Sequence, residues 1–183
     1  MGIEKLKREY QIETLWRGFP LHPEIPEEGI STETLLASNP VDIDNMRHRM
    51  AEMAALVGLP LGQRGKVYNS RLAQELAFWA ESKHKGNQFH IEVFKAYFVL
   101  GKNIGKIPVL MDVAASIGLD PEEAEDVLSS RVYKPATDLD WSLSRSYNIH
   151  VVPTFVMNQH GLFGMQSYET LKRFTETQGV SKR

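Results

Sequence analysis

Val151-Val152-Pro153-Thr154-Phe155-Val156-Met157-Asn158 lies late in a chain whose other periodic stretches are mostly helical. Thr154 to Asn158 is a short β-prone run and predicts a strand. Gly161 to Gly164 predicts a second, with His160-Gly161 as the turn between them. From Ser167 the period returns to that of a helix, with Tyr168, Leu171 and Phe174 on one face and Ser167 placed to cap. At the other end of the chain, Glu4 to Tyr10 reads as a short charged helix. Ile12 to Arg17 alternates as a strand does, Ile12, Thr14 and Trp16 against Glu13, Leu15 and Arg17. The ends of the chain therefore predict helix-strand and strand-strand-helix, an α/β arrangement.

Between these ends the pattern is helical. Gly18 to Pro40 holds Pro20, Pro23, Pro26, Gly29 and Pro40, so it reads as a surface connection without regular structure. A first helix follows on Ile43, Met46, Met50, Met53, Ala54 and Val57, stopped by Gly58 and Pro60. A second carries Leu72, Ala73, Leu76, Ala77 and Ala80, with Asn69 or Ser70 as its cap. A third carries Ile91, Phe94, Tyr97 and Phe98 before Gly101, and a fourth runs from about Pro108 to Ile117. Asp120-Pro121-Glu122-Glu123 predicts a fifth start: a capping carboxylate, a proline at the first helical position, and negative charge at the positive end of the helix dipole. A sixth is expected from about Pro135 to Tyr147. The Met46, Met50 and Met53 stripe reads as packing into this block's own core, the rival being a flexible binding face. Trp79, Phe89, Phe94, Tyr97 and Phe98 read equally as core or as a lid over a groove.

Bulk properties narrow the function. The chain has 183 residues, 42% hydrophobic and 24% charged, which suits one well-buried core or a small core domain carrying an inserted second one. The net charge of -2 supplies no basic field for nucleic acid. No apolar run is long enough to span a membrane and no secretory leader is visible, so a cytoplasmic location is expected. There is no cysteine, hence no disulfide, thiolate nucleophile or thiolate metal site. The six histidines include no pair at the spacing of a helical zinc site, and no metal is expected. Gly101-Lys102-Asn103-Ile104-Gly105-Lys106 lacks the spacing of a phosphate loop and reads as a helix-ending turn; no cofactor motif is present.

Motifs make the fold more specific. Trp16-Arg17-Gly18-Phe19-Pro20-Leu21, Tyr68-Asn69-Ser70-Arg71-Leu72-Ala73, the run from Gly118 through Ala124, Val151-Val152-Pro153-Thr154-Phe155-Val156 and Gly164-Met165-Gln166 occur in the order found in FrnE-like DsbA oxidoreductases. The chain resembles that branch of the thioredoxin superfamily over essentially its whole length. The resemblance implies a thioredoxin-like α/β fold with a large all-helical insertion: residues 1–40 and 148–183 as the core, 41–147 as a helical lid.

The same resemblance implies a disulfide oxidoreductase, acting on an extended peptide or a protein thiol or disulfide. Substrate would lie against Val151, Val152 and Pro153, with Val152-Pro153 the family's cis-proline. Only about 5–6% of X-Pro bonds in folded proteins are cis, so the expectation of cis rests on the family alone. His150, Tyr68 and Asn69 are candidates for the groove; the bland alternatives are a surface loop residue and a helix start. One departure is decisive. The family's first strand ends in Cys-x-x-Cys, whereas Gly2-Ile3-Glu4-Lys5-Leu6 resembles the helix after it, so the first central strand and both thiols are expected to be missing and no catalytic residue is assigned. The expectation is a chain truncated, started at the wrong codon, or completed by a strand from a partner or a second copy, and redox-inactive by itself. A glutathione-dependent isomerase reading, which needs a serine at the thiol position, finds no serine before Ser31.

Overall fold

The computed structural model describes residues 2–37 and 42–183. The chain divides into two compact units, Met1–Leu21 with Asp140–Arg183, and His22–Leu139. This division lies some way from the expected boundaries, because the proline-rich segment after residue 21 is tied to the helical unit. Asn69 Nδ2 donates to the carbonyls of Pro23 (3.1 Å) and Ile25 (2.9 Å), and Asn103 Nδ2 donates to that of Glu27 (2.8 Å). Lys106 Nζ pairs with the carboxylates of Glu27 and Glu28. Ile25 is consequently buried.

The segment is also less irregular than its prolines suggest. β1 (Ile30–Ser31) pairs antiparallel with β2 (Lys66–Val67), and α2 (Thr32–Leu35) follows, capped by Ser31 Oγ, which accepts from Thr34 N–H at 3.0 Å. None of residues 30–35 is a proline, so nothing there forbids hydrogen-bonded structure. The end of the segment, 38–40, lies outside the described residues.

In the helical unit, α3 (Ile43–Leu56), α4 (Arg71–Ser82), α5 (Gly86–Phe94), α6 (Ile107–Ser116) and α7 (Pro121–Ser130) stand close to where the periodicity placed them. Helix α5 runs on into a π-helical turn, Lys95–Val99. The Asp120 cap forms, its Oδ1 accepting from Glu122 N–H at 2.9 Å. At α4, Asn69 Oδ1 accepts from Arg71 N–H at 2.9 Å, whereas Ser70 makes no side-chain cap bond. The core joins Leu76, Trp79, Phe89, Val93, Leu110 and Leu128. Trp79 and Phe89 are thus core, while Phe94 is exposed. The methionine stripe is not core: α3 buries no residue, and Met50 and Met53 are 37% and 39% exposed. Helical spacing aligns those side chains on one face but does not supply an opposing surface.

The other unit is built on α1 (Gly2–Glu9) and α9 (Tyr168–Thr177), whose Leu6 and Leu171 bury with Tyr10 against Phe155 and Leu162. Those last two belong to β3 (Thr154–Met157) and β4 (His160–Phe163), an antiparallel hairpin. Its turn is Asn158-Gln159, with φ of 49° and 68°, not His160-Gly161. Two consecutive left-handed residues match the right-handed twist of the strands, which is what a two-residue hairpin requires. Ser167 caps α9 through Thr170 N–H at 3.1 Å.

Residues 12–17 do not form the expected strand. Ile12 and Thr14 are half-buried and Glu13 and Leu15 exposed, so the alternation holds over these four residues, but Trp16, expected on the inner side, is 51% exposed, and the segment belongs to no ladder among the described residues. Alternation reports which side faces a core; a strand also needs a hydrogen-bonded neighbour. Among the described residues, pairing here is limited to one bridge, Tyr10 with Lys182, beside which Gln11 N–H donates to Ser181 O and Arg183 N–H to Glu9 O, both at 3.0 Å. Helix α8 (Lys134–Ser146) begins among residues of the helical unit and ends among those of this one.

Candidate functional site

The loop from α8 into β3 carries four of the residues singled out from the sequence. Asn148, at φ 53°, ends the helix by donating its N–H to Arg145 O at 2.9 Å, while Ile149 N–H reaches Ser144 O at 2.9 Å. His150 then turns back, its Nε2 2.7 Å from Asn148 Oδ1. Val151 and Val152 follow, exposed by 43% and 41%, and the Val152–Pro153 peptide bond is cis. Thr154 Oγ1 donates to the Val151 carbonyl at 2.6 Å and Gly164 N–H to that of Pro153 at 2.8 Å, so the turn is held from both sides.

The register fixes what β3 offers. Gly164 bonds Pro153, and in an antiparallel ladder hydrogen-bonded pairs recur every second residue, so Phe155 and Met157 address β4. Thr154 and Val156 therefore direct N–H and C=O to the other edge, where no strand pairs with β3 among the described residues. Val156 is 44% exposed. The site thus combines two outward-facing residues of strand backbone with an exposed apolar lead-in.

Tyr68 and Asn69 belong to the other unit. Asn69 is committed to the Pro23 and Ile25 carbonyls and to Arg71 N–H. The Tyr68 ring meets Tyr97 edge to face at 6.3 Å. Within their own unit these two residues position a loop and an aromatic cluster.

A residue that sequence reading did not single out is Asp140. It is 3% exposed, and its carboxylate accepts from Arg17 Nη1 at 3.0 Å and from Gly18 N–H at 2.8 Å. The signal available in the sequence was indirect: Thr137, Asp140 and Ser144 form a polar stripe at helical spacing, and all three are buried.

No thiol exists in the chain, and no three His, Asp or Glu side chains among the described residues are grouped to hold a metal ion. No helix among the described residues is long and apolar enough to cross a membrane.

A hairpin and helix closing on an N-terminal helix, with a helical unit inserted between, define a thioredoxin-like protein of the DsbA type. The chain belongs to the DSBA-like thioredoxin domain family, whose model matches residues 1–176. It is 33% identical over 89 residues to the uncharacterized protein YwbO of Bacillus subtilis (strain 168), a match covering 47% of this chain and 44% of that protein. The match thus spans less than half the length of that curated relative. Among solved structures, a probable DsbA oxidoreductase from Streptomyces coelicolor superposes with a TM-score of 0.81 at 20% identity, over 92% of this chain and 76% of that one. A 2-hydroxychromene-2-carboxylate isomerase gives 0.63 at 18% identity, over 80% and 74%. The cytosolic disulfide reductase DsbM from Pseudomonas aeruginosa gives 0.56 at 22% identity, over 76% and 77%. At these identities the likeness is one of fold.

Proposed function

We propose that this member of the family is redox-inactive by itself and binds an extended polypeptide, which joins β3 as an added strand beside the Val152–Pro153 bond. The observation that carries the reading is the outward-facing backbone of Thr154 and Val156, next to exposed Val151 and Val152. Backbone pairing of this kind supplies affinity with little sequence demand, and the flanking apolar side chains add selectivity for an apolar segment. Disulfide exchange needs an attacking thiolate and a resolving thiol. Neither exists among these 183 residues, so exchange would require cysteines from outside them. A strand from a second copy of the chain is the rival occupant of the same edge. The cytoplasm is the proposed setting, in keeping with the name of the Pseudomonas neighbour.

The test uses the chain as given, with insulin B chain whose cysteines are carboxymethylated as the extended probe. Fluorescence anisotropy should show binding that Val156→Pro removes, since proline lacks the outward N–H, while Val156→Thr retains it. Far-ultraviolet circular dichroism should show both variants folded. Insulin reduction by dithiothreitol should proceed at the rate of the protein-free blank. Binding unchanged by Val156→Pro would overturn the strand-addition reading. Light scattering showing a dimer that Val156→Pro dissociates would assign the edge to a second copy instead.

A further inference from the structure

Helix α3 spans 14 residues, and none of them is buried. Helices of that length are marginal in water by themselves and draw most of their stability from an apolar face packed on a neighbour. Such a face is present. Ile43, Met46, Met50, Met53 and Val57 follow one another at spacings of three, four, three and four residues. That is the repeat of a two-helix seam, narrower than the face a helix lays on a globular core.

The end of the helix enlarges this face. Gly58, at φ 66°, donates its N–H to Ala55 O at 3.0 Å, and Leu59 N–H reaches Ala54 O at 2.9 Å, a Schellman ending that turns Leu59 back beside Ala54. Met50, Met53, Leu56, Val57 and Leu59 are each 37–78% exposed. Together they leave on the order of 500 Å² of apolar surface, in the upper part of the range for the largest patch on a monomer. Two copies joined there would cover on the order of 1,000 Å², where specific interfaces begin.

A second copy brings an identical stripe, and a two-fold pairing is closed, so both stripes are covered at once. Methionine suits such a seam because its flexible side chain fills irregular gaps. The charges choose direction and register. A parallel pair would gather Arg47 and Arg49 of both helices at one end, whereas an antiparallel pair separates them to opposite ends. With Met50 opposite Met46 of the second copy, Arg47 would meet Arg47 and Arg49 would meet Arg49, which like-charge repulsion disfavours. Shifted by one heptad, Met50 lies opposite Met53 and Met46 opposite Val57. Arg47 then falls beside Ala54 and Arg49 beside Leu56, over which their aliphatic stems lie.

We propose that α3 is a dimerisation helix whose seam packs antiparallel on the same seam of a second copy, Met50 opposite Met53. The seam lies in the helical unit, and the proposal does not depend on the β3 reading above. Sedimentation equilibrium of the full chain, at concentrations on the order of 100 μM to suit an interface of this size, should give the mass of a dimer. Met50→Glu combined with Met53→Glu puts two carboxylates into each seam and should raise the dissociation constant by about a hundredfold or more, with the far-ultraviolet circular dichroism still that of a folded helical protein. Met50→Leu combined with Met53→Leu should keep the dimer, as should Val156→Pro. Because the chain has no cysteine, Met50→Cys and Met53→Cys report the direction: mixed and mildly oxidised, the two variants should crosslink to each other faster than either does to itself.

A monomer at those concentrations would overturn the proposal, and one that sedimented with phosphatidylglycerol vesicles would give the face to a membrane surface instead. A dimer unaffected by the two glutamates, or one dissociated by Val156→Pro, would place the contact elsewhere and defeat it as well. Crosslinking confined to each cysteine variant by itself would rule out the antiparallel register.

Discussion

Arg131 holds Glu75 through two parallel hydrogen bonds, Nε to Oε2 and Nη2 to Oε1, each 2.7 Å. Arg71 Nε adds a third to Oε1, also at 2.7 Å, and Arg71 Nη2 reaches on to Asp138 Oδ1 at 2.6 Å. Glu75 is 1% exposed, and Arg131 adopts a left-handed φ of 55° just past the end of α7. Glu75 thereby joins α4 to the end of α7, and Arg71 carries the link on to α8 through Asp138. Removing one partner of such a buried group leaves the others unpaired and costs about 3–5 kcal/mol. Glu75→Leu and Arg131→Met should each lower the free energy of unfolding measured in urea by that order, and the double substitution should cost less than the sum.

The same carboxylate gives a pH dependence with a definite sign. Burial alone would raise the Glu75 carboxyl, but the hydrogen bonds and charges of Arg131 and Arg71 more than offset it and hold it below the usual carboxylate range. A depressed folded-state pKa contributes stability that is present above the unfolded value, about 4.3, and is lost as pH falls below it through the folded value. Thermal melts of wild type and Glu75→Gln should differ most near neutrality and converge as acid is added.

At the other end of the pH scale, Tyr10 donates to Glu176 Oε1 at 2.5 Å and Tyr168 donates to Glu9. Each phenol is pushed up to about 12, chiefly by the bond to its carboxylate, with burial and repulsion from nearby acidic groups adding to it. A raised folded pKa contributes stability that is present below the unfolded value, about 10, and is lost as pH rises towards the folded one. An absorbance titration at tyrosinate wavelengths should show these two phenols ionising late, beside that of Tyr97, which burial also pushes up. Tyr10→Phe and Tyr168→Phe should each remove one of them.

The β3–β4 turn offers a stabilising change. Gln159 sits at φ 68°, where a side chain is strained and glycine is not, and Asn158 at φ 49° is already a tolerated residue type. Gln159→Gly would complete the Asn-Gly pair preferred in such turns. The melting temperature should rise, with a gain of about 1 kcal/mol, the order of the left-handed penalty removed.

Gly62 shows the opposite case. A Cβ there would stand 2.0 Å from the Val99 carbonyl oxygen, because Gly62 N–H bonds Phe98 O at 2.9 Å and the two backbones meet. The obstacle is backbone, which cannot step aside as a side chain can. Gly62→Ala should destabilise by about 1–3 kcal/mol in urea unfolding, in the range of an overpacked site.

Much of the architecture was legible because its causes are local. Asp120-Pro121, Ser167 and the apolar periods of α4 to α7 act within a turn or two of chain, so their spacing is sufficient. The β3–β4 pair was equally legible as two strands, yet its turn was misplaced by two residues: His160-Gly161 looks like turn chemistry, but the register set by Phe155 and Leu162 on the core puts Asn158-Gln159 at the corner. Ile12 to Arg17 showed the opposite error: the alternation held from Ile12 to Leu15, failed at the exposed Trp16, and had no neighbouring strand to make it a ladder.

The amino-acid sequence by itself determined that no thiol chemistry can arise within these 183 residues, and that a helical block interrupts an α/β core. Only the tertiary structure decided that the methionine face of α3 stays outside the core, that Glu75 gathers two arginines, and that Asp140 answers Arg17, 123 positions away. The physical reason is range. Caps, turns and helical period depend on neighbours a few residues away, whereas a buried charge or an apolar face acquires its meaning from the surface folded against it.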